Sequence, residues 1–108
     1  MATHPNYLYR MTTIFAITTI APSVTPAIVR DLILPSLEGL VNDPIPNIRF
    51  NVAKCLEPLT VVLRTSPDTA ALEATAVRPT LARMEEDLDP DVRFFAHRAL
   101  EAINAPAA

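Results

Sequence analysis

The stretch from Asp43 to Phe50, Asp-Pro-Ile-Pro-Asn-Ile-Arg-Phe, decides the fold because its pattern recurs 44 residues later in the 108-residue chain. The second copy runs from Asp87 to Phe94 and reads Asp-Leu-Asp-Pro-Asp-Val-Arg-Phe. Both copies contain aspartate, then proline, then an apolar residue followed by Arg-Phe. A polar capping residue ahead of proline is typical of the first turn of a helix. The repeat therefore predicts two similar helices.

The apolar residues that follow each copy also repeat. They are Ile48, Val52, Cys55, Leu56 and Leu59 in the first case, and Val92, Ala96, Ala99, Leu100 and Ile103 in the second. Steps of 4, 3, 1 and 3 form one stripe along a helix. An earlier copy, in which Pro5 matches Pro44 and Arg10 matches Arg49, gives the stripe Tyr9, Thr13, Ala16, Ile17 and Ile20.

Two further segments between the striped helices also read as helices. They carry prolines at matching positions, Pro35 and Pro79, and an interior proline bends a helix. Thr25, Ser66 and Asp89 precede prolines as capping residues. With one glycine and 11 prolines, the composition favours helices joined by proline-marked corners over a β fold. We predict no strand and five helices, at residues 7–20, 26–42, 47–60, 67–86 and 90–102.

Two-helix units of about 40 residues that cover one another are typical of an α-solenoid. The predicted class is thus all-α, a single segment over 1–108 with about two and a half units. The units are 1–22 (second helix only), 23–64 and 65–108. Because the first unit has only its second helix, we expect Ile14, Ile17 and Ile20 to be partly exposed, and the chain to self-associate.

Composition argues against several classes of function. The net charge is −3 and no basic run occurs, which argues against nucleic-acid binding. Residues 11–29 are uncharged, but six Ser or Thr and two prolines argue against a membrane span. Cys55 has no second cysteine to pair with, and His4 and His97 lie far apart, so we expect no disulfide, metal or cofactor.

Catalysis has no support in the residue pattern. Cys55 lies on a core stripe and is expected to be a small buried apolar side chain. The acidic run over 85–91 lacks the glycine and ligand spacing of a calcium loop, so we interpret it as a solvated turn. No nucleophile, base and orienting group occur at workable spacing, and we predict no catalytic residue.

Three arginines, Arg10, Arg49 and Arg93, each lie in the first turn of a predicted helix, where the helix dipole disfavours a cation. One interpretation is a ladder of arginine–carboxylate pairs that ties neighbouring units together. The other is direct contact with a partner. Both interpretations could hold at Arg10, because a residue in a terminal unit has fewer neighbours that could pair with it.

The Asp-Pro and Val/Ile-Arg pattern resembles the HEAT repeat. Three blocks resemble the C-terminal repeats of the 65 kDa regulatory scaffold of protein phosphatase 2A. They are His4–Phe15, the Asn42–Pro44 turn with Asn47–Lys54, and Asp91–Ala96. The resemblance covers essentially the whole chain and weakens between 61 and 76. His4 departs from it, because the family usually has an acidic residue there.

The resemblance implies a non-enzymatic scaffold whose turns bind the phosphatase catalytic subunit, with further regulatory subunits as additional partners. The matching positions are Tyr7, Arg10, Ile45, Asn47 and Arg49, and the third turn, 89–93, matches only in part. Glu73 lies on the opposite edge and is expected to matter little. The implied location is the cytoplasm, or the cytoplasm and nucleus.

Two alternatives to this function stay open. Another HEAT or armadillo adaptor, such as a transport or coat module, would keep the Asp-Pro and Arg pattern but not the block that begins at Asn6. A small helical enzyme would need catalytic groups that the residue pattern does not supply.

Overall fold

The computed structural model describes residues 6–105, and over that range the chain forms five helices and no strand, as predicted. Helix α1 is Tyr7–Ile20, α3 is Pro46–Leu63 and α5 is Pro90–Asn104. Helix α2 consists of Pro26–Ile28, Val29–Ile33 and Leu34–Glu38; helix α4 consists of Pro67–Ala70, Glu73–Val77 and Arg78–Met84. A short 3₁₀ turn, Ala21–Ser23, follows α1. Helix α2 ends earlier than predicted, at Glu38, and α3 runs three residues beyond its predicted end at Thr60.

The predicted capping residues begin three of the helices. Thr25 Oγ1 accepts a hydrogen bond from the Ile28 N–H, and Ser66 Oγ accepts one from the Asp68 N–H. Asp89 Oδ1 accepts bonds from two N–H groups at the start of α5. These oxygens satisfy backbone donors that have no partner inside the helix.

The two matching prolines produce a wider turn rather than a break. Val29–Ile33 and Glu73–Val77 are π-helical and lie directly ahead of Pro35 and Pro79. Proline lacks an N–H, and its ring collides with the carbonyl four residues earlier in a regular α-helix. A π turn relieves that collision at the same place in both helices. The predicted bend therefore appears as a π turn in α2 and α4.

Helix α3 lies at the centre of the molecule, where it packs against α1 and α5, and α4 also packs on α5. All five residues of the α3 stripe are buried. In α5 the stripe is buried except for Leu100, which is only partly covered. Cys55 is buried as predicted, and burial raises the pKa of its thiol. The helical period thus predicts the core of these two helices correctly.

The predicted stripe of α1 is confirmed only at Ile17, since Tyr9 and Thr13 are half-buried and the other two residues are exposed. The structure buries Arg10, Met11, Ile14 and Ile17 and exposes Ala16 and Ile20. Helix α1 packs mainly on α3, so the side of α1 that faces α3 is buried and its other side meets solvent. Exposure of part of the apolar face is confirmed for Ile20 and wrong for Ile14 and Ile17. Self-association stays a prediction.

A charged network joins the C-terminal ends of α3 and α5 to the middle of α4. Arg64 Nε lies 2.5 Å from Glu73 Oε1, and Arg78 donates two bonds to Glu73 Oε2. Arg64 also donates to the Ile103 carbonyl, and Arg78 to Asn104 Oδ1. Glu73 therefore has a structural role, because its carboxylate joins two arginines that reach a third helix. The expectation that it matters little for binding of the catalytic subunit stays a prediction.

The network shifts the acidity of Glu73. The hydrogen bond from Arg64 is the largest cause, and with the bonds from Arg78 it outweighs the effect of burial and lowers the pKa of Glu73 to about 2. A carboxyl whose pKa is lower in the folded chain stabilises the fold above its unfolded pKa, here about 4.5. That contribution is lost as the pH falls from about 5 towards 2.

We predict that Glu73→Gln lowers the melting temperature at neutral pH and reduces the loss of stability on acidification between about pH 5 and 2. The measurement is thermal unfolding, followed by circular dichroism, across that pH range. Glu57→Gln, at an exposed position of α3, is the control because it removes the same charge outside the network. Parallel pH profiles for Glu73→Gln and the parent would contradict the prediction.

Candidate partner-binding ridge

The turn before α3 (39–45) and the turn before α5 (85–89) fold in the same way. Asp43 Oδ1 accepts a hydrogen bond from the Ile45 N–H at 3.0 Å. Asp87 Oδ1 accepts one from the Asp89 N–H at 2.9 Å. Such a bond from a residue two positions later fixes an Asx turn. The 44-residue repeat therefore specifies a backbone shape.

The arginine that follows each turn closes it. Arg49 Nη1 donates to the Asp43 carbonyl oxygen at 2.7 Å, and Arg93 Nη1 donates to the Asp87 carbonyl oxygen at 2.7 Å. Arg93 Nη1 also donates to the Leu88 carbonyl at 3.0 Å. These bonds tie the first turn of each helix to the loop that leads into it.

The same arginines link one turn to the next. Arg10 Nε lies 2.6 Å from Asp43 Oδ2, and Arg10 Nη2 donates to Oδ1 at 3.2 Å. Arg49 Nε and Nη2 donate to the two oxygens of Asp87 at 2.8 and 3.0 Å. The Arg49–Asp87 pair is bidentate, which adds geometric specificity to the charge attraction, whereas the Arg10–Asp43 ion pair has one such hydrogen bond, from Nη2. We call each such pair a rung. The two rungs confirm the arginine–carboxylate ladder for Arg10 and Arg49, whereas Arg93 donates to backbone carbonyls instead.

The rungs are shielded from water. The Arg10 and Asp43 side chains are 9% and 5% exposed, and those of Arg49 and Asp87 are each 16% exposed. The expectation that Arg10 has few neighbours is thus wrong, because α3 and its preceding turn enclose it. Burial alone would raise the pKa of Asp87, but bonds from Arg49 and from the Asp89 N–H outweigh it and lower that pKa.

The other predicted ridge residues face solvent. Tyr7 is 39% exposed, Ile45 is 36% exposed, and Asn47 is exposed beside them. Asn47 Nδ2 donates to the Tyr7 hydroxyl oxygen at 2.7 Å, so the start of α1 contacts the start of α3. We call residues 6–7, 43–47 and 87–91 the ridge. The five predicted contact residues therefore divide into three exposed ones on the ridge and the two rung arginines, Arg10 and Arg49, which lie next to it.

Helical period predicts Leu88 on the apolar side of α4, with Leu81 and Met84, and this prediction is wrong. Its side chain is 95% exposed at the tip of the turn before α5, because α4 ends at Met84, four residues earlier. Leu88 instead separates two aspartates that hold the turn, Asp87 and Asp89. The acidic run over 85–91 is better described as structural, because Asp87 binds Arg49, Asp89 caps α5, and Glu85 pairs with His97 at 2.8 Å.

Neither a metal site nor a membrane span is found over residues 6–105. No group of three or more His, Cys, Asp or Glu side chains in that range is placed to hold a metal ion. No helix of the described part is both long and apolar enough to cross a bilayer.

Comparison with known protein families shows which type of helical repeat this geometry matches. The HEAT repeat family model matches residues 33–63, which take in the end of α2, the Asp43 turn and all of α3. Together with the five helices and the repeated rungs, this match supports an α-solenoid of HEAT repeats.

Three relatives show which HEAT-repeat proteins it resembles. The A-type regulatory subunit of protein phosphatase PP2A from Schizosaccharomyces pombe is 62% identical over 69 residues, 64% of this chain and 12% of that protein. The Saccharomyces cerevisiae protein of the same name is 35% identical over 96 residues, 88% of this chain and 15% of the relative. The beta isoform of the human PP2A 65 kDa regulatory subunit is 39% identical over 59 residues, 55% of this chain and 9% of that protein. The chain thus spans a small part of each relative's length.

We predict that Asp43→Asn destabilises the fold by about 3 to 5 kcal/mol, because it leaves the buried Arg10 guanidinium without its counter-charge. Asp31→Asn is the matched control, since Asp31 pairs with Arg30 at 2.7 Å on the surface, where both side chains are exposed, and should change stability little. Urea unfolding followed by circular dichroism measures both. Equal, small losses for the two variants would contradict a structural role for the first rung.

Proposed function

We propose that the chain is a non-catalytic scaffold that binds the catalytic subunit of protein phosphatase 2A through its ridge. Its relatives are named PP2A regulatory subunits, which supports a place in a phosphatase complex. The observation that carries the proposal is the contact between Tyr7 and Asn47, which joins two neighbouring turns while leaving both side chains exposed.

The ridge combines a rigid base with adaptable tips. The rungs bury the charges of Arg10, Asp43, Arg49 and Asp87 in intramolecular pairs. An aromatic, an aliphatic and an amide side chain are left at the surface. Tyrosine is among the side chains that most often dominate binding energy at interfaces. A base that is already rigid reduces the entropy lost when a partner binds.

The five contact residues that the family resemblance implies therefore take two roles. Tyr7, Ile45 and Asn47 contact the partner, whereas Arg10 and Arg49 position the turns that present them. Substituting Arg10 would test the fold rather than the contact, because its side chain is only 9% exposed. The further regulatory subunits and the location in the cytoplasm, or in the cytoplasm and nucleus, stay predictions.

We predict that Tyr7→Ala weakens binding of the catalytic subunit by about 2 kcal/mol or more, roughly 30-fold, because it removes the aromatic side chain and its bond to Asn47. Biolayer interferometry with immobilised chain and purified fission yeast catalytic subunit measures this. That probe is chosen because of the 62% identity to the fission yeast regulatory subunit. Phe15→Ala is the matched control, an exposed aromatic of α1 that is 56% exposed and lies two turns further along the helix.

The same variants are also compared after grafting this chain into the fission yeast regulatory subunit over the matched segment, which gives a second binding format. Sedimentation velocity reports whether the chain alone self-associates before binding is measured. Parental affinity of Tyr7→Ala in both formats would contradict the proposed contact. Failure of the parent to bind in either format would contradict the proposed function itself.

A further inference from the structure

The α4–α5 turn presents a leucine that the fold does not use. Leu88 is 95% exposed, more than any other large apolar side chain among residues 6–105, and far more than Ile45 at 36%. Single exposed leucines are common on protein surfaces. Leu88 differs from those because of how its backbone is held and where it lies.

The backbone of Leu88 is fixed on both sides. Before it, Asp87 is held by the two bonds from Arg49 and itself accepts the Asp89 N–H. After it, Asp89 caps α5, and Arg93 donates to the Leu88 carbonyl. The leucine side chain is therefore presented from a loop that is already ordered. Binding through it would cost little backbone entropy.

Leu88 also lies in line with the proposed contact residues. Arg49 donates to the Asp43 carbonyl and to the Asp87 carboxylate, so one guanidinium bridges the second turn to the third. The first rung joins α1 to the second turn in the same way. Tyr7, Ile45 and Leu88 are thus exposed side chains on three successive turns that the rungs hold next to one another.

Charge sets the third turn apart from the other two. Glu86 and Asp91 are exposed beside Leu88, whereas the acid of the second turn, Asp43, is buried in a rung. Arg49 offsets the charge of Asp87, and Arg93, which donates to neutral backbone carbonyls, keeps its positive charge. The five acidic residues of 85–91 outnumber these two cations, so the third turn stays negative. At the third turn, an exposed apolar side chain is consequently surrounded by acidic residues. A partner surface complementary to it is an apolar pocket with lysine or arginine at its rim.

We propose that Leu88 is a third anchor of the ridge, which inserts into an apolar pocket with a basic rim on the phosphatase catalytic subunit. This inference depends on the proposed function and adds to it a turn that matched the family pattern only in part. Burial of the leucine supplies the apolar contribution to affinity. The acidic residues raise the association rate and make it sensitive to salt.

The test compares Leu88→Ser with Leu32→Ser in the full chain, and its probe is the purified fission yeast catalytic subunit. Leu32 is a matched control because it is 64% exposed and lies on α2, away from the ridge. We expect Leu88→Ser to weaken binding about tenfold or more, Leu88→Met to bind like the parent, and Leu32→Ser to have no effect. Equal melting temperatures show that each variant folds.

The charge component is tested with the double variant Glu86→Gln, Asp91→Asn. It should lower the association rate at low ionic strength and bring it close to the parent's rate at high ionic strength. An association rate equal to the parent's at low ionic strength would overturn the proposal that the partner's pocket has a basic rim.

The remaining outcomes separate this inference from the proposed function. If the parent binds, Tyr7→Ala weakens binding and Leu88→Ser does not, the third anchor is wrong and the proposed function stands. Equal weakening by Leu88→Ser and Leu32→Ser also overturns the anchor, because the effect would not be specific to the ridge. If the parent does not bind, alone or grafted, the proposed function and the anchor are both overturned.

Discussion

The ion pair between an arginine of one unit and an aspartate of the next is the interaction on which this structure depends. It occurs twice, from Arg10 to Asp43 and from Arg49 to Asp87. Each aspartate also accepts an N–H bond that shapes its own turn. One carboxylate thus shapes its turn and holds that turn against its neighbour. Loss of either function would disturb the other.

The helices depend on the rungs for their register and on the apolar stripes for their cohesion. Non-directional burial along α3 and α5 would tolerate a sliding of one helix along the other, whereas a two-bond ion pair does not. At the opposite end, the Glu73 network adds a second directional link. Charged contacts near both ends of the helices therefore fix an arrangement that apolar packing stabilises.

The sequence predicts the parts of this fold that follow from local pattern. Five helices, three caps and the buried stripes of α3 and α5 follow from helical period and proline position. The stripe of α1 could not be predicted from its own residues, because what is buried depends on which neighbour it packs against. The partner of each arginine also depends on packing, since Asp43 and Asp87 lie 33 and 38 residues from their partners.

The site was predicted in part for the same reason. Tyr7, Ile45 and Asn47 are exposed on the turns where the family resemblance had placed contacts. Residue type alone does not distinguish Arg10 and Arg49 from residues that contact a partner. Only the structure shows that their side chains are turned inward and pair with aspartates. Leu88 continues the helical period of α4, which wrongly predicts it on the apolar side of that helix, and the matching position in the earlier turn is Pro44.

The most direct measurement of the rungs' importance is a double-mutant cycle on the second one, with Arg49→Met, Asp87→Asn and the two combined. Unfolding free energies from urea titrations give the coupling between the two side chains, free of their separate effects. If the rung holds neighbouring turns together, the coupling free energy between Arg49 and Asp87 should be at least about 1.5 kcal/mol, which is in the range of hydrogen bonds to charged groups. A coupling free energy below about 0.5 kcal/mol, as found for many solvent-exposed pairs, would contradict the structural role of the rung.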